Sequence, residues 1–330
     1  MKRRNLVIIC IVSVLLLVIL VIHNSNEKKS SINQMNIKES TINSTYNNPI
    51  IPQGFMPVET DIASWELENN VPKGWNKGLV IEDDIGNQFV WVPANKIEKD
   101  IYSEESKDID QINKYGGFYI ARYEAGIPEE YIERINDNEL RTTTNNSEGI
   151  PTSKKEQIPW NYIYAENAKK NAMKMYNNEY IQSDIITVRQ WNIVMQWLSD
   201  GGYNTKDSSE WGNYSDVSFQ FTGYYSIDSK SYKYGENITK SEDMILSTGS
   251  TERNMSNNIY DLAGNLAEYT QDSNNEIRNI RGGYYTKRSL YNNTEKYLNE
   301  DQYSSNSASS GLHRDKSNDK QGFRVVLYLK

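Results

Sequence analysis

Cysteine is almost missing from this chain of 330 residues. The only one, Cys10, lies inside the apolar run at the N-terminus, so the folded part has neither disulfides nor thiol metal ligands. Histidine is nearly as scarce, with only His23 and His313. That excludes a site of three imidazoles and leaves a serine nucleophile short of a base. An excess of cations is also lacking: 36 Lys and Arg face 44 Asp and Glu, a net charge of -8. Nucleic acid is therefore not expected as a partner, because its affinity comes from Lys and Arg displacing condensed counterions. The acidic residues are scattered and read as a solvated surface. There is no Gly-rich phosphate loop of the Walker type and no H-E-x-x-H.

The long apolar run stands at the start. Lys2, Arg3 and Arg4 precede residues 6–22, LVIICIVSVLLLVILVI, a stretch without charge at the short end of what spans a bilayer. The basic flank predicts residues 1–5 inside the cell and everything beyond the span outside it. A cleaved signal peptide normally has a shorter apolar region ending in small residues. Here the run ends in Val21, Ile22 and His23, which favours a retained signal-anchor, with Cys10 as an apolar residue of the span. Residues 23–49 are rich in Asn, Ser, Lys and Glu, too polar to bury a core, and read as a stalk. The expectation is a single-pass protein of the cell membrane with its C-terminal domain extracytoplasmic. The Asn, Lys and Ile bias suggests an AT-rich bacterial genome.

From residue 50 to 330 short apolar runs alternate with turn signals and no internal repeat appears, which points to one α+β domain. Residues 88–92, QFVWV, and 117–123, GFYIARY, are short and rich in aromatic and β-branched residues, as strands are. In the second, Phe118 and Ile120 face one way while Tyr119, Ala121 and Tyr123 face the other. Strands are also expected at 277–283 and 322–329, where Phe323, Val325, Leu327 and Leu329 share a face opposite Arg324, Val326 and Tyr328. Thr187 with Gln190 forms a capping-box pattern ahead of Trp191, Val194, Met195 and Leu198 at helical spacing, and Gly201-Gly202 supplies the stop. A second helix is expected after Pro159, running to about Tyr176 on a stripe of Ala165, Ala168, Ala172 and Met175. Residues 201–256 read as loop.

Three C-terminal pieces carry a resemblance: NIYDLAGNLAEYT at 258–270, IRGGYY at 280–285 and GFRVVLYL at 322–329. With FVWVP at 89–93 and GFYIARYEAG at 117–126, they resemble the formylglycine-generating enzyme, or sulfatase-modifying factor, family. The likeness covers about residues 89–330 and is closest to bacterial surface or phage-associated members without assigned activity. It implies a C-type-lectin-like fold: small twisted antiparallel sheets, two helices and long loops. In the family, Trp precedes and follows the Glu of the first piece; here the residues are Ala267, Glu268 and Tyr269.

The resemblance also sets what to test. Formylglycine generation in the family uses two cysteines after the RGG strand that bind copper as thiolates, and residues 284–322 hold none. A sister branch uses three histidines on iron, and the chain has two. Neither copper nor iron is therefore expected. The family's loop calcium site carries over to Asp261 and Glu268 through side chains and to Gly264 and Leu266 through carbonyls. Two carboxylates and converging carbonyls suit Ca²⁺, while a plain tight turn at Gly264-Asn265 accounts for the same residues. Arg281 and Arg324, near glycines on expected strands, read as buried guanidiniums that satisfy loop carbonyls. His313, in the polar run 309–320, reads as a solvated loop residue, and the acidic clusters Glu82/Asp83/Asp84 and Glu129/Glu130 as surface turns or helix starts.

The leading expectation is a membrane-anchored extracytoplasmic binding domain, its ligand a protein or a glycan, with the polar, Tyr-, Ser- and Asn-rich segment 287–320 as recognition surface. The alternatives are an enzyme of the same fold with a non-cysteine mechanism, and a structural or assembly protein of a surface or phage-derived system.

Overall fold

The computed structural model describes residues 48–98, 106–128, 148–271, 277–286 and 317–330, and its main compact unit is Thr45–Lys330. The proposed span at 6–22, most of the stalk at 23–49, His313 and the bulk of segment 287–320 lie outside the described residues. Among the described residues no helix is long and apolar enough to cross a membrane.

The described chain is mixed α and β. It opens with β1 (Phe55–Pro57), a two-strand ladder of β2 (Leu67–Glu68) and β3 (Val71–Pro72), then β4 (Leu79–Asp83) and β5 (Gln88–Pro93). Helix α1 (Lys107–Tyr115) leads into β6 (Gly117–Ala121), followed by α2 (Ala165–Met175), β7 (Ile181–Ile185) and α3 (Val188–Asp200). The rest is strands: β8 (Gln220–Ser226), β9 (Lys233–Thr239), β10 (Ile245–Leu246), β11 (Met255–Ser256), β12 (Ile259–Tyr260), β13 (Ala267–Gln271), β14 (Ile277–Arg281), β15 (Gln321–Phe323) and β16 (Val325–Leu329).

One antiparallel sheet of six strands, in the order β1-β4-β5-β6-β16-β7, organises the core. Strand side chains alternate between faces, and here both faces are buried. Val90, Phe118, Ile120, Val326 and Tyr328 pack with Trp191, Val194 and Leu198 of α3. Phe89, Trp91, Tyr119, Val325 and Leu327 pack on the other side with Ala165, Ala168 and Ala172 of α2. The alternation expected for GFYIA and VVLYL is thus observed, with apolar residues needed on both faces because a helix covers each.

The capping box of α3 is formed: the Gln190 N–H donates to Thr187 Oγ1 at 3.0 Å and the Thr187 N–H to Gln190 Oε1 at 3.0 Å. Helix α2 starts at Ala165 rather than just after Pro159. The cause is Tyr162, whose φ of 56° breaks the helix and whose N–H donates to the Asn318 carbonyl. Residues 322–329 form two strands instead of one, because the chain passes at Arg324 from the sheet β14-β13-β15 into the six-stranded sheet. Residues 201–256 are not simply loop: β8 and β9 pair as a hairpin, with β10 beside β8. Asp83, expected on a surface turn, does turn the chain, accepting from Asn87 N–H and Nδ2, but is buried.

Candidate functional site

The loop 261–268 is held by charge and amide groups from four parts of the chain. Arg324, with no exposed surface, donates from Nε and Nη2 to Glu268 Oε1 at 3.0 and 2.6 Å and from Nε to Oε2 at 3.1 Å. The same guanidinium donates to the carbonyls of Ala121 at 3.1 Å and Tyr260 at 2.9 Å. It therefore ties the end of β6, the start of the loop and β13 together, the role expected of it. Arg281 is equally buried and lies opposite Glu268 in the β13–β14 register.

Glu124, just past β6, completes the brace. Its Oε1 accepts from the Leu266 N–H at 3.0 Å and its Oε2 from Asn265 Nδ2 at 2.6 Å. Asn265 Oδ1 accepts in turn from Asn213 Nδ2 and the Leu246 N–H. Asn265 holds φ at 54°, which suits Asn, and Gly264 holds 76°. A side chain at Gly264 would run into the backbone of Asn213, so glycine is required there. Asp261, also left-handed at φ 59°, accepts from the Gly249 N–H at 2.8 Å through Oδ2, while its buried Oδ1 has no partner.

Burial raises the pKa of all three carboxyls. It pushes Asp261 up to about 6, against the Gly249 N–H and Arg324, which favour the anion. Glu124 is raised well above its ordinary value by burial and then by the charges of Asp261 and Glu268. Glu268 is raised by burial, with Arg324 opposing.

Ca²⁺ wants six to eight oxygens. The structure gathers Asp261, Gly264, Leu266 and Glu268 in one loop, but both oxygens of Glu268 are committed to Arg324, and Asp261 offers one unpartnered carboxylate oxygen. A second cation beside a buried guanidinium would also be repelled. These four residues as arranged do not fit the ion, and among the described residues no group of three or more His, Cys, Asp or Glu is placed to hold a metal.

A different place on the molecule is open. A cleft of about 680 Å³ runs from the head of α3 along the helix to Asp200, bounded by residues 93–97, the start of α1 and Gln271 at the end of β13. Its floor is Asp108, which is buried and accepts from Arg189 Nη1 at 2.8 and 2.9 Å, from Thr187 Oγ1 at 2.8 Å and from Ser106 Oγ. A carboxylate in front of a helix N-terminus is favoured by the partial positive charge there. Arg189 keeps about a third of its side-chain surface exposed. Gln271, only 1% exposed, donates from Nε2 to the Ile185 carbonyl at 2.8 Å and leaves Oε1 without a partner; Asn192 Oδ1 is likewise unpartnered. Trp197 and Ile193 add apolar surface.

Sequence reasoning found the loop and missed the cleft. Glu124 lies within the GFYIARYEAG block, yet nothing local marked it as buried. Asp108, Thr187 and Gln271 are joined only by the fold, and the capping box was the single local signal among them. A scan against protein-family models finds no match for this chain, and a search of curated proteins finds none.

Proposed function

We propose that residues 50–330 are a non-catalytic binding domain on a sulfatase-modifying-factor, C-type-lectin-like scaffold, carried on the outside of a bacterial membrane by the N-terminal segment. The scaffold is supported by short antiparallel sheets, helices on both faces of the largest, long connections, and a C-terminal strand returned to that sheet between β6 and β7. In this reading the loop 261–268 is a structural brace whose cation is Arg324 and not calcium.

The observation that carries the binding reading is the lining of the cleft. Its buried carboxylate, Asp108, is held by Arg189, Thr187 and Ser106, and the other polar groups of the lining are four amides with Lys96 and Asp200. Amides and a paired carboxylate orient a ligand through hydrogen bonds, while Lys96 and Asp200 are exposed and lack the burial that tunes an acid or base. The test presents the full-length chain to arrays of surface proteins and glycans and follows captured ligands by mass spectrometry. Retention of an unaltered ligand is expected; conversion of the ligand would contradict the reading. In parallel, a cysteine-containing sulfatase peptide incubated with the chain, copper and oxygen is expected to keep its mass, and formylglycine formation would overturn the non-catalytic assignment.

A further inference from the structure

We propose that the cleft at the head of α3 takes a neutral saccharide, an inference that rests on the binding reading above and names its ligand. Charge is the first argument. Among the described residues the lining holds Lys96 and Arg189 with Asp108 and Asp200, two cations and two anions, so these groups together favour neither an anionic nor a cationic ligand. Hydrogen-bonding capacity is the second. Gln271 Oε1 and Asn192 Oδ1 are buried acceptors without partners, which cost free energy until something donates to them. On the donor side, Asp108 and Ser106 engage only Nη1 of Arg189. The first-turn N–H groups of Val188 and Arg189 have no intrahelical partner either. A ligand that satisfies both acceptors and donors along one cleft must offer both kinds of group, and hydroxyls do so with a single atom.

Shape is the third argument. Trp197, half-buried, and Ile193 border the same space and offer apolar surface to the C–H face of a sugar ring, while the polar groups meet its edge. The volume of about 680 Å³ falls within the roughly 300–1,000 Å³ of small-ligand sites. The occupant is therefore a short oligosaccharide without net charge.

Isothermal titration of the full-length chain with a panel of neutral trisaccharides, built from glucose, mannose, galactose and N-acetylglucosamine, tests this. The expected result is saturable binding to at least one of them. That binding should weaken about tenfold in Asn192→Ala, the loss of one hydrogen bond to a desolvated group, and at least as much in Trp197→Ala. Unchanged thermal melting shows that each variant is folded, and Gln196→Ala, on the exposed rim, serves where Trp197→Ala fails to fold. Binding that both cleft variants leave intact overturns the cleft as the site. Binding to no trisaccharide overturns the saccharide, and capture of a protein ligand on the array in that case leaves the broader binding reading standing. Cleavage of a trisaccharide would overturn the broader reading itself.

Discussion

The loop at residues 261–268 and the cleft at the head of α3 use similar side chains, a carboxylate and an arginine among amides, yet differ in how far their hydrogen bonds are filled. In the loop, Nε, Nη1 and Nη2 of Arg324 all donate to protein acceptors, and the guanidinium is sealed from water. Around Arg189 one guanidinium nitrogen carries the contacts, a third of the side chain is exposed, and two neighbouring amide oxygens have no partner. A saturated, sealed ion pair holds segments together; a half-open one next to orphan acceptors has capacity left for a ligand.

Breaking the sealed pair should have the largest effect. Arg324→Met leaves Glu268 buried without its cation and is expected to cost about 3–5 kcal/mol of unfolding free energy in urea titration. Adding Glu268→Gln should recover part of that loss. A single variant as stable as the wild type would show that Arg324 is no brace.

Next comes Asp261. The folded chain holds its proton more tightly than the unfolded chain, with the carboxyl raised from 3.8 to about 6. Its contribution to stability is therefore full below about pH 4 and lost as pH rises through about 6. Asp261→Asn, which tolerates the left-handed backbone, should remove that dependence and be more stable at pH 7 by up to about 3 kcal/mol. Melting temperatures from pH 4 to pH 7 that change equally in both proteins would refute the burial argument.

Thr187→Ala acts at the open pair. It removes the cap of α3 and one hydrogen bond to Asp108, with an expected cost of about 1–2 kcal/mol, smaller than at Arg324. A larger loss than in Arg324→Met would invert the comparison. The smallest expected effect is from calcium. Because Arg324 occupies Glu268, millimolar Ca²⁺ should leave the melting temperature unchanged, and a rise that disappears in Asp261→Ala would restore the ion to the loop.

Patterns set by nearest neighbours were legible in the sequence. The capping box at Thr187 and Gln190, the alternation of Val325 to Leu329 and the turn at Gly264-Asn265 depend on residues a few positions apart, and each is observed. Helix α1 was missed because only Ile109 and Ile112 mark its inner face; its other buried residues include Asp108 and Gln111. The β8–β9 hairpin was missed because its exposed positions, such as Tyr224 and Tyr234, look like loop residues in a Tyr- and Asn-rich stretch. The loop itself was found, but the cation holding it comes from residue 324 and its second carboxylate brace from residue 124. No local spacing carries such contacts. The cleft is the extreme case, since Asp108, Arg189 and Gln271 meet only once the sheet and helices are assembled.

The most direct measurement of the division between brace and site is amide hydrogen exchange of the full-length chain with and without the tightest-binding trisaccharide. New protection is predicted in the peptides covering residues 187–197 and 271, with residues 261–268 already protected and unchanged. Protection gained at 261–268 instead, with none at the head of α3, would contradict it.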